Sequence, residues 1–68
     1  MMLHEVRQAL EFTAKQIDEK VKQLEEALGA RAARSYDEYC GMCGEITGLL
    51  TARRYITDLT KNMENSDE

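Results

Sequence analysis

The chain has 68 residues, with no proline or tryptophan, one phenylalanine and three tyrosines. That is at most one domain, with too little apolar material for a deep core. The net charge of −4 makes phosphate-directed nucleic-acid binding a poor expectation, and no apolar run reaches the ~20 residues of a membrane-spanning helix.

The high charged fraction, with opposite signs interspersed, favours long helices. From the start, Met1 to Arg7 lack the basic and apolar blocks of a secretory signal. The expected setting is a cytosol, where Cys40 and Cys43 stay reduced. Leu3, Leu10, Ile17 and Leu24 then recur every seven residues, and Ala14, Val21 and Leu28 form a second series offset by four. Together they make a coiled-coil-like seam along one helical face. Two acid-before-base pairs four residues apart, Glu11–Lys15 and Asp18–Lys22, have the orientation that supports a helix from within. Gly29 follows the last seam residue and reads as a left-handed C-terminal cap. The pattern predicts helix 1 over 3–28.

Residues 29–35 are a short connection. Arg31 and Arg34 within it, like Arg53 and Arg54 further on, read as solvated charges flanking the turn and a helix face. Ser35 and Glu38 have capping-box spacing, in which the serine oxygen accepts from the Glu38 amide and the Glu38 carboxylate reaches back to the serine amide. Asp37 adds negative charge at the positive end of the helix dipole. Helix 2 is predicted over 36–63, followed by a polar, acidic tail over 64–68. Its apolar arc holds Tyr39, Met42, Ile46, Leu49, Ile56 and Met63, flanked by Cys43 and Leu50 on one side and Leu59 on the other. Arg53 falls inside that arc, where a long aliphatic stem can lie over the seam while the charge reaches solvent or an acid.

Three glycines interrupt this second helix. Gly41, Gly44 and Gly48 are three and four residues apart and share one face, which Ala52 extends by a turn. Each weakens a helix by about 1 kcal/mol relative to alanine, so a close-passing backbone is the expected compensation. A short link between two long helices makes them antiparallel neighbours. The fold class is therefore all-α, a helical hairpin. The glycines then lie level with Val21, Leu24 and Leu28, and the favoured reading packs them against helix 1. The alternative turns the strip outward to receive another protein. On helix 1, Phe12 sits nearly opposite Leu10 and Ile17. With Val6, Ala9 and the Met1–Met2 end it reads as a surface for a partner.

Chemistry-bearing motifs are few. Cys40 and Cys43 form a C-x-x-C, but a thioredoxin-like pair needs a βαβ setting and closed zinc sites need four ligands. His4, the one histidine, stands at the far end of a hairpin and reads as a solvated surface residue, so only a dimer pooling two such pairs would complete a zinc or thiol centre. The plainer reading makes Cys43 a small buried residue and Cys40 its flank. No carboxylate pairs with a histidine or serine in a pattern for acid–base or nucleophilic work. The sequence reading therefore names no catalytic, cofactor-binding or metal-binding residue.

The run Ser35-Tyr36-Asp37-Glu38-Tyr39, then Cys43-Gly44-Glu45-Ile46-Thr47-Gly48-Leu49, then Ala52, Ile56, Asp58 and Leu59, resembles a family of small two-helix proteins. Tailed, mostly short-tailed, bacteriophages encode them among their virion-structure genes. The resemblance covers about residues 35 to 68, with Cys40 and Gly41 outside the shared pattern. It implies a non-enzymatic, many-copy virion or head-assembly accessory protein bound to a portal, a head–tail connector or the capsid. A small acidic binder acting on a host enzyme is the alternative, and a dimeric C-x-x-C zinc or thiol protein a third reading. Under the first reading the packing and partner interface comprises Gly41, Gly44, Gly48 and Ala52, which set close helix approach, and Val6 and Phe12, which contact the partner.

Overall fold

The heptad pattern of the first half and the capped start of the second produce two long helices in the computed structural model, α1 over Met2–Gly29 and α2 over Tyr36–Ser66. The structure describes residues 2–30 and 33–66, and no strand occurs among them. Met1, Arg31, Asp67 and Glu68, all assigned roles above, lie outside the described residues, as does the side chain of Met2. The helices pack side by side as a hairpin 50 × 14 × 14 Å in extent. Its radius of gyration, 15.5 Å, exceeds the about 11 Å of a compact chain this long.

Helix α2 starts at the predicted residue because Ser35 caps it. The Glu38 amide donates to Ser35 Oγ at 3.1 Å, and the Tyr39 amide to the Ser35 carbonyl at 3.0 Å. This is half of the predicted capping box, since no return bond from the Glu38 carboxylate occurs among the hydrogen bonds of the described residues. The helix continues beyond Met63, through the polar residues Glu64, Asn65 and Ser66. Gly29 does not form the expected left-handed cap. It is the last residue of α1, outside the left-handed region, and the next amide, of Ala30, still donates to the Glu26 carbonyl at 2.9 Å. The helical hydrogen-bond ladder thus runs past the glycine, and conformational permission at Gly29 goes unused.

Most of the seam forms as its spacing requires, but Leu3, its first expected member, is 42% exposed. Ala14, Val21 and Leu24 are buried, and Leu10, Ile17 and Leu28 half-buried beside them. From α2 come Met42, Ile46, Leu49, Ile56 and Met63, all half-buried, while Tyr39, expected within the arc, and the flanking Leu50 and Leu59 are exposed. Three buried residues among those described make a narrow core, and each therefore carries a large share of the stability. Replacing Leu24 by alanine should lower the unfolding free energy by about 3 kcal/mol, read from urea denaturation followed by circular dichroism. A loss under about 0.5 kcal/mol, the range of ordinary surface substitutions, would contradict this placement of the core.

Candidate interaction surfaces

The glycine strip faces outward, which corrects the favoured reading of the sequence. Gly41, Gly44 and Gly48 are exposed, and a Cβ built on any of them would meet nothing within 4 Å. The reason is a competition between faces of α2. Turning the strip onto α1 would expose Ile46, Leu49 and Ile56, and half-burying each such side chain is worth about 1 kcal/mol. Close backbone approach at three glycines cannot match that. Helical projection of Ile46 and Leu49 against Gly44 and Gly48 carried the signal in advance.

With the strip outward, one long face of α2 is free of charge. Gly41, Gly44, Gly48, Ala52, Tyr55 and Leu59 fall within an arc of about 80°, at about 100° per residue. Tyr55 and Leu59 are exposed and Ala52 is half-buried at the edge of the seam. The small residues of this face are those expected from spacing, and Tyr55 is an addition to them. Its signal was the same three-and-four spacing continued past Ala52. On α1, Val6 and Phe12 are exposed, Phe12 at 62%. They do not form a stripe with Ala9, because steps of three residues drift about 60° round a helix.

A different surface runs along the groove between the helices. There Arg53 lies over the seam as expected and finds an acid. Its Nε donates to Asp18 Oδ1 at 2.9 Å and its Nη2 to Asp18 Oδ2 at 3.3 Å. Its Nη1 also reaches Thr57 Oγ1. Asp18 therefore joins the opposite helix instead of its expected partner Lys22, and Glu11–Lys15 does not close either. A planar guanidinium matches both carboxylate oxygens at once, an advantage an ammonium lacks. The groove encloses about 430 Å³ and alternates in charge along Glu11, Lys15, Asp18 and Arg53. It is open to solvent, and Asp18 is 51% exposed, so the pair contributes no more than about 1 kcal/mol.

Near the turn, Cys40 is exposed and Cys43 half-buried, both as free thiols. Tyr39 sits beside them and stacks on Tyr36 with ring centroids 6.4 Å apart. Hydrogen bonding with Cys43, then the charges of the two thiols and some desolvation, hold the Tyr39 phenol above its ordinary range. His4 belongs to the opposite end of the hairpin, and no group of three or more metal-ligating residues occurs among the described residues. Each copy thus brings two thiols to any shared centre. Among the described residues, no helix is long and apolar enough to cross a membrane.

Two measurements check this geometry. A double-mutant cycle with Asp18→Asn and Arg53→Met should give a coupling of about 0.5 kcal/mol, diminished by high salt. Zero coupling at low salt would remove the pair. Cys43→Ala should lower the Tyr39 titration midpoint, followed by ring-carbon NMR, and an unchanged midpoint would sever the link between phenol and thiol.

No protein-family model, curated protein or solved structure matches this chain.

Proposed function

We propose that this chain is a non-enzymatic structural or assembly accessory protein of a phage virion, present in many copies and docked on a larger virion protein such as a portal, head–tail connector or capsid subunit. The observation that carries the reading is the outward glycine strip. Three glycines in an exposed helix face sacrifice about 3 kcal/mol of helix propensity with no return inside the hairpin. A neighbour that needs close approach to that face supplies the return. The exposed Val6 and Phe12 give a second point of contact on α1, and the phage-like residue pattern of α2 suggests which kind of assembly provides the neighbours. The acidic balance suits protein partners and not direct contact with packaged nucleic acid.

Quantitative mass analysis of purified particles tests this. Many copies per particle are expected, with cross-links from lysines of α1 to one larger virion protein. A stoichiometry near zero would overturn the reading and favour the small acidic regulator that acts on a host enzyme.

A further inference from the structure

We infer that the uncharged outer face of α2 binds a second copy of this chain, α2 against α2, antiparallel about a two-fold axis. The argument begins with the order of sizes along the face. The half nearer the turn is all small: Gly41, Gly44 and Gly48. The half away from it carries two large exposed side chains, Tyr55 at 63% and Leu59 at 48%. Ala52 lies between them. Hollows thus occupy one half and knobs the other, on a single helix.

An antiparallel partner reverses that order. A two-fold axis level with Leu50 sets Gly48 beside the partner's Ala52, Gly44 beside the partner's Tyr55, and Gly41 beside the partner's Leu59. The same contacts repeat on the other side of the axis, as an interface that pairs one patch with itself requires. Each large side chain meets a position where a Cβ would have open space. A parallel pair would oppose Tyr55 to the partner's Tyr55 and glycine to glycine, leaving the hollows empty. Between Gly41 and Leu59 the strip carries no charge, so two copies bring no like charges together along it.

The exposed area supports the same conclusion independently. The chain exposes 5362 Å², whereas a compact monomer of 7.8 kDa exposes about 4400 Å². The difference, about 1000 Å², is comparable to the about 800 Å² that each partner contributes to a standard interface. A 31-residue helix about 46 Å long has room for it. The pairing rests on the many-copy reading above: the second copy is the neighbour that covers the glycine strip, and Val6 and Phe12 of α1 are left for the larger partner.

Sedimentation equilibrium of the full chain at micromolar concentration tests the pairing. The expected mass is that of two copies. Tyr55→Ala, which removes a side chain outside the hairpin core, should weaken association by about tenfold or more. Gly44→Leu should give single copies that melt at a lower temperature than the parent. On a free helix face the same change would raise the melting temperature, because leucine is the better helix former. A parent chain that sediments as one copy, or as three or more, would overturn the pairing. So would a Gly44→Leu variant that stays paired and melts higher. Failure here leaves docking on a larger virion protein intact, whereas absence from particles would remove that docking and leave the pairing standing.

Discussion

The seam between α1 and α2 is closed from two sides only, and everything else in the molecule follows from that restriction. A four-helix bundle surrounds its core. Here Ala14, Val21 and Leu24 are covered by one facing helix, and Leu10, Ile17 and Leu28 are only half-covered. Burial of a few side chains must offset the conformational entropy of two ordered helices. That leaves little margin, and it gives the outer faces of the helices a role in stability as well as in recognition.

Helix α2 is the weaker partner on intrinsic grounds. Besides three glycines it contains four of the chain's five threonines, whose β-branch restricts the side chain in a helix. Every threonine returns its hydroxyl to the carbonyl four residues earlier: Thr13 to Ala9, Thr47 to Cys43, Thr51 to Thr47, Thr57 to Arg53 and Thr60 to Ile56. These bonds satisfy the hydroxyls within their own helix and demand no outside acceptor, although back-bonding of this type also tends to bend a helix. Such a helix persists through contact along its length: with α1 on one side and, on the reading developed above, with a second copy on the other.

Much of this was legible in the residues. Seven-residue repeats on α1, and Ser35 with Glu38 ahead of Tyr36, are local signals with local causes, and they located both helices and the hairpin. Gly29 misled because a glycine after the last seam residue permits a left-handed turn without imposing one. The strip from Gly41 to Gly48 misled because its low cost of close approach was weighed alone. Only against the burial of Ile46, Leu49 and Ile56 does the outward orientation win. The switch of Asp18 from Lys22 to Arg53 depends on how the second helix is rotated about its axis, information that no single-helix pattern contains.

The clasp between Asp18 and Arg53 has a further consequence. Stepping back and forward by seven from Asp18 along α1 gives Glu11 and Glu25, so an acid recurs at three successive heptads on that flank, with His4 before them. Were α1 to slide by two turns against its mate, leucine and valine would still meet apolar residues, and Arg53 would still find a carboxylate. Neither the greasy stripe nor the ionic catch distinguishes one alignment from the next. That discrimination falls to the length of the connection between Gly29 and Tyr36: six residues reach about 20 Å fully extended, and a slide of ~10 Å on top of the ~10 Å gap between helix axes takes up most of that reach. The connector is the molecule's ruler, and a longer one would turn a fixed hairpin into a ratchet.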